Sequence, residues 1–182
     1  MEKKIEFFQS PQGEVYFYGP KGEMQRYDMS QVDLIKFMAN LIEHVYPDAY
    51  SYLYEAHIKS RPNKLYHLFL ITERFIRCNF SSNDTLTYDI DEGKINLERV
   101  SCPLRKACKM ENIVCNPRVN SPFFPKEEEV AKIFAKGYVA GEIATILGKS
   151  KNTVMAQLRN MRRRLGLKTA RDIIKVVHQF GL

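Results

Sequence analysis

The sequence has no run approaching the roughly 18 consecutive apolar residues that a membrane-spanning helix needs, and its opening stretch, MEKKIEFFQS, lacks the longer apolar core of a secretory signal. A cytoplasmic protein with no membrane partner is the expectation. Internal repeats, low-complexity tracts, Gly-rich phosphate loops and metalloprotease motifs are all missing. Cysteine is scarce, with four in 182 residues, and in a reducing compartment four thiols argue against a disulfide framework. An enzyme using one of these thiols with His44, His57 or His67 as base is the remaining catalytic reading. Nothing in the sequence brings a histidine to a cysteine, so no enzyme is expected.

A hydrophobic content of 45% with 27% charged residues is that of a soluble globular chain, long enough for one medium domain or two small ones. The formal charge of +7 is unevenly spread: residues 123–182 hold 12 Lys and Arg against 5 Asp and Glu, leaving 16 against 16 in residues 1–122. All the excess positive charge thus belongs to the last third. Clustered Lys and Arg neutralise phosphates and release condensed counterions, so a polyanion is the implied partner, against the alternative of a merely solubilising surface.

Along the first part, KIEFF and EVYFY read as β-strands with the turn GPKGE before EMQRYD. Ser30 is placed to cap a helix running to about Tyr46, whose apolar stripe includes Val32, Ile35, Met38, Ile42 and Val45 and which Pro47 ends. KLYHLFLITERFIRCNF fits a buried strand pair or a helix, with helix favoured. Residues 81–122 turn polar and irregular, with SSNDT, DEGK and prolines at 103, 117 and 122. These features predict an α+β sensory or interaction domain over 1–119, containing a loop-rich segment at 78–116, followed by a separate all-α domain over 120–182.

The last third is clearly punctuated. Pro125 suits a first helical position, Glu127, Glu128 and Glu129 complement the dipole, and Gly137 follows the last turn of a helix over about 125–136. AGEIATIL is a short second helix stopped at Gly148, and Ser150 caps a third over about 151–165, stopped at Gly166. Thr169 and Asp172 have capping-box spacing for a fourth. On the third helix Val154, Leu158, Met161 and Leu165 form one apolar stripe, while Asn152, Ala156, Arg159 and Arg163 lie opposite, flanked by Thr153, Met155 and Asn160. A two-faced helix after a short helix and a tight turn is what a helix-turn-helix recognition helix requires, although a solvated face on an ordinary bundle helix has the same periodicity. In the first reading Arg pairs with guanine, Asn with adenine, and Ala156 meets a thymine methyl, while Lys149, Lys151, Arg162, Arg163 and Arg164 hold phosphates.

The segment FPKEEEVAKIFAKGYVAGEIATILGKSKNTVMAQLRNMRRRLGLKTARDIIKVV resembles the C-terminal DNA-binding domain of LuxR-type (GerE-type) bacterial transcription regulators. The resemblance is carried by Pro125, Glu127, Glu129 and Val130, by Ala135 and Gly137, by Glu142, Ile143 and Ala144, and by Leu147, Ser150, Thr153, Val154, Asn160, Leu165 and Gly166. It implies a four-helix helix-turn-helix fold, double-stranded DNA as partner, bases facing Met155, Ala156 and Arg159, and a homodimer formed through the last helix by Ile173, Ile174, Val177 and Phe180. Departures fall at Val139, Ala140 and Gly141, where the usual Ser-Asn cap is replaced, and at Met155 and Gln157, where Lys and His are common. A sigma-factor-like partner of RNA polymerase is the rival reading. The N-terminal part resembles neither an acyl-homoserine-lactone pocket nor a phosphate-accepting receiver domain.

Cys78, Cys102, Cys108 and Cys115 could together supply the four thiolates of a zinc site. The C-x5-C and C-x6-C spacings are not those of C-x2-C knuckles, so buried thiols and redox use, including an iron-sulfur cluster, stay open beside it.

Overall fold

Side chains that alternate between two faces make KIEFFQ and VYFY strands: Ile5 and Phe7 point to one buried face with Val15 and Phe17, while Phe8 stacks on Tyr16 and Tyr18 across the other. The computed structural model describes residues 4–19, 22–80, 87–91 and 93–182; SSNDT and Pro20 of the expected turn lie outside them. Contacts divide the chain into two compact units, Met1–Asn120 and Ser121–Leu182. No helix among the described residues is long and apolar enough to cross a membrane.

In the first unit β1 (Lys4–Gln9), β2 (Val15–Tyr18) and β3 (Met24–Arg26) form an antiparallel meander. Gly13, at φ 80°, closes the β1–β2 connection by donating to Ser10, and a Cβ there would meet the Arg77 guanidinium at 2.9 Å. Three helices follow: α1 (Val32–Val45), α2 (Pro47–Ala56) and, after a 3-10 turn at Ile58–Ser60, α3 (Lys64–Asn79). Leu34, Ile35, Met38, Leu41, Ile42 and Val45 of α1 face Ile71, Phe75 and Ile76 of α3 in a core completed by the rings of Phe7, Phe17, Tyr27 and Phe80.

Two expectations need correction here, and Pro47 does more than expected. Ser30 is not the cap of α1; Gln31 occupies that place without a side-chain capping bond, and the turn is instead organised by Asp28 accepting from the Ser30 N–H at 2.8 Å and Gln31 accepting from the Asp28 N–H at 2.7 Å. Pro47 both ends α1 and starts α2, because its fixed φ suits the first position of a helix. The segment after residue 81 is not wholly irregular: β4 (Ile90–Asp91) pairs with β1, β5 (Lys94–Ile95) pairs with β4, and the sheet runs β3-β2-β1-β4-β5. Ile90 and Ile95 are buried in that pairing, a long-range term that two-residue strands cannot announce locally.

The second unit is helical: α4 (Pro125–Ala135), α5 (Ala140–Ile146), α6 (Lys151–Arg164) and α7 (Asp172–Gln179). Val130 and Ala131 of α4, Ile143 of α5, Val154, Leu158 and Met161 of α6 and Ile173 and Val177 of α7 bury one small core. An α+β first unit and an all-α second one are what the sequence predicts.

Candidate nucleic-acid interface

The start of α5 solves the loss of a polar cap locally. Val139 has no hydrogen-bonding side chain, and the Glu142 carboxylate accepts the Val139 N–H at 2.9 Å from within the first turn. Leu147 closes α5, Gly148 takes φ 60°, and the Lys149 N–H returns to the Ala144 carbonyl at 2.9 Å, giving a turn that only a residue tolerant of positive φ can make cheaply. Ser150 then caps α6, accepting the Thr153 N–H at 3.0 Å, and its hydroxyl also meets that of Thr153 at 2.9 Å.

This helix–turn–helix fixes which side of α6 is outward. Val154, Leu158 and Met161 are buried and Leu165 half-buried, whereas Lys151, Asn152, Thr153, Met155, Arg159, Asn160, Arg162 and Arg163 are exposed and Ala156 is half-buried among them. Lys151, Arg159, Arg162 and Arg163 enter no ion pair among the described residues. The exposed face therefore offers guanidinium, amide and methyl groups on one convex ridge, unneutralised by the protein itself.

Arg164 does not belong to it. The sequence groups it with the phosphate-binding residues, but it forms an ion pair with Glu127, donates to the Pro122 carbonyl at 2.8 Å and lies 4.4 Å over the Phe124 ring. Its task is to fasten the end of α6 to the entry of α4, with Glu127 8% exposed. Lys149 is also engaged, donating to the Lys126 carbonyl at 3.3 Å and reaching Glu129 at 3.5 Å. Gln157, at a position where the resembled domains often carry His, donates to the same Lys126 carbonyl at 3.1 Å. Sequence reasoning reads Glu127 only as a dipole partner; the burial of its carboxylate against α6 has no local signal.

On α7 the Asp172 carboxylate accepts from the Thr169 backbone at 2.8 Å and hydroxyl at 3.0 Å, bonds that hold its pKa below the usual carboxylate range. Ile173 and Val177 turn into the unit's own core and Phe180 is buried, which leaves Ile174, half-exposed, as the member of the expected dimer face that is not already covered. The sequence counts these side chains as surplus because it cannot tell which of them the unit buries itself.

The first unit holds the thiols and the histidines. Cys78, near the end of α3, and Cys115 line one pocket, and Cys102 and Cys108 lie on the loop that leads to it. Burial pushes the Cys78 thiol up to about 12 and raises that of Cys115. His67 is buried, with Nδ1 2.8 Å from the Ser60 hydroxyl and 3.0 Å from the His57 carbonyl, and its ring stands edge-on to Tyr54. Burial lowers the pKa of His57, and His44 is exposed at the end of α1. Those contacts read as packing. Among the described residues, the donor atoms that gather in a trio within 4.8 Å are the carboxylates of Glu6, Asp89 and Glu98. Two of these already serve the fold, Asp89 accepting the Phe7 N–H at 2.7 Å and Glu6 the Asp89 N–H at 3.3 Å.

No curated protein and no solved structure matches the chain. Residues 121–177 match the family model described as bacterial regulatory proteins, luxR family, which covers the second unit almost end to end and leaves the first outside it. The C-terminal unit is therefore a LuxR-family helix-turn-helix domain, the module of a DNA-binding regulator.

Proposed function

We propose that this protein is a transcription regulator that reads double-stranded DNA by laying α6 in the major groove. The observation that carries the reading is the exposed ridge of α6, in which every cation but Arg164 is free of an ion pair among the described residues while the opposite stripe is buried. Asn152, Met155, Ala156, Arg159 and Asn160 face bases; Lys151, Arg162 and Arg163 meet phosphates, with Thr153 beside them and Lys149 steadying the turn. Met155 has no donor to offer, so its contribution is apolar contact, of the kind a thymine methyl provides.

Pairing accompanies binding. With Ile174 the main uncovered apolar residue of α7, self-association off DNA is weak, and two copies meet on a two-fold operator with half-sites about one helical turn apart. Titrating the full chain with duplex DNA at several salt concentrations tests the reading: log K should fall linearly with log salt, by about 0.9 per phosphate neutralised. Sedimentation of the same mixtures should show monomer alone and dimer on DNA. Absence of binding at low salt overturns the proposal, and binding that appears only with added RNA polymerase favours the sigma-like role.

A further inference from the structure

Residues 97–120 contain no helix and no strand beyond an isolated bridge between Glu111 and Cys115, and Val114 and Pro117 are the buried residues among them. So little apolar burial does not order a segment of this length. Its path is nevertheless defined. Turns close at Cys102 with Arg105 (3.2 Å) and at Cys108 with Glu111 (3.1 Å), and the Met110 carbonyl collects the N–H groups of Val114 and Cys115 at 2.8 and 3.2 Å. The buried Asn79 side chain then pins the far end, donating to the Val114 carbonyl at 2.8 Å and accepting the Asn116 N–H at 3.0 Å.

The consequence of that path is chemical. It brings Cys115 to line one pocket with Cys78 of α3, together with Arg105 and Glu111, and Cys102 and Cys108 sit on turns of the same loop, each of the four thiols partly buried. Arg74 stands within electrostatic reach of Cys78 and Arg105 within reach of Cys115. Both have protein partners of their own, Arg105 donating to the Val100 carbonyl at 2.6 Å and Arg74 reaching the Met110 sulfur at 3.5 Å, and a divalent ion held by four thiolates carries a net charge of about −2 that they would partly offset.

We propose that Cys78, Cys102, Cys108 and Cys115 bind one zinc ion that fastens the 97–116 segment to the end of α3. Four thiolates leave no open coordination position, so the site is structural. Their sulfurs are not at ligation spacing in this structure, since no three of them fall within 4.8 Å, whereas Zn–S bonds of about 2.3 Å require about 3.8 Å between sulfurs. Closing the set requires the turns bearing Cys102 and Cys108 to move inward while Cys78 and Cys115 stay on their anchors. The proposal is independent of the DNA reading, which concerns the other unit.

The test uses the full chain purified under reducing conditions without added metal. Elemental analysis should give about one zinc per chain, and cobalt substitution should give thiolate charge-transfer bands with tetrahedral d–d absorption that Cys102→Ser and Cys108→Ser each weaken. Removing the metal with a chelator should raise hydrogen exchange across 97–116 at least tenfold while leaving α6 unchanged, a readout that needs no variant to fold. Less than about a tenth of an equivalent of metal, a Cys78–Cys115 disulfide, iron with inorganic sulfide, or exchange indifferent to chelation would each overturn it.

Discussion

Replacing Arg164 by alanine should unfasten the helix-turn-helix without touching its DNA-facing ridge. The change removes the partner of Glu127, whose side chain is 11% exposed, along with the hydrogen bond to Pro122 and the contact with the Phe124 ring. Breaking a fully buried ion pair costs about 3–5 kcal/mol. Arg164 is 35% exposed and Glu127 keeps the Phe124 N–H at 3.2 Å, so water and that bond compensate part of the loss, which brings it to roughly 2 kcal/mol. A unit of this size has about 3–9 kcal/mol in total. The loss should therefore raise the opening equilibrium of α6 and α4 by about 30-fold, at 1.4 kcal/mol per factor of ten. Hydrogen exchange by mass spectrometry on the full chain reads it directly, and Arg163→Ala is the control, because Arg163 is exposed and makes no ion pair among the described residues. Arg163→Ala should weaken DNA binding and leave exchange unchanged. If Arg164→Ala leaves exchange within threefold of the parent, or if both variants lose DNA binding alike with no change in exchange, the assignment of Arg164 to the fold is refuted.

Leu158→Asp should unfold the C-terminal unit outright, since it places an unpaired charge among Val130, Val154 and Met161; loss of α6 protection with the first unit still protected is the signature. Arg159→Ala should cost about 1–3 kcal/mol on the preferred duplex and relax base preference, whereas Lys151→Ala should weaken all duplexes alike and flatten the salt slope by about 1; identical behaviour on specific and random DNA would contradict the division. Asn79→Ala should cost about 1–3 kcal/mol and free residues 114–116, seen as exchange and protease cleavage confined to that loop. In alkali the first unit should weaken. Burial raises Tyr27 and lifts Tyr46 to about 12, so the folded chain keeps protons that unfolded phenols release near pH 10, and stability declines from there upward. Phenolate absorbance titrating fully near pH 10 in the folded protein would contradict this.

The C-terminal unit was legible in the sequence because its determinants are local. Pro125, Ser150, Gly148 and Gly166 act through backbone preferences within a turn of their own position, and the stripe of Val154, Leu158 and Met161 repeats at the helical period, so helix ends and the buried face follow from neighbours in the chain. The first unit yielded less. Two-residue strands at Ile90–Asp91 and Lys94–Ile95 exist only because β1, far away in sequence, supplies an edge to pair with, and no local pattern encodes that. Side-chain duties were hidden for the same reason. Arg164 and Arg163 are adjacent and chemically identical, and both belong to the basic run that the sequence assigns to phosphates. Only the packing of α4 against α6 puts a buried carboxylate beside one and open solvent beside the other. The four thiols could be counted from the sequence, but that Cys115 returns to line a pocket with Cys78 rests on α3 carrying Cys78 to the place where Asn79 anchors the loop. Periodicity and caps are short-range physics and are written in consecutive residues, whereas burial and charge pairing depend on which distant surfaces meet, and that was decided by the tertiary structure.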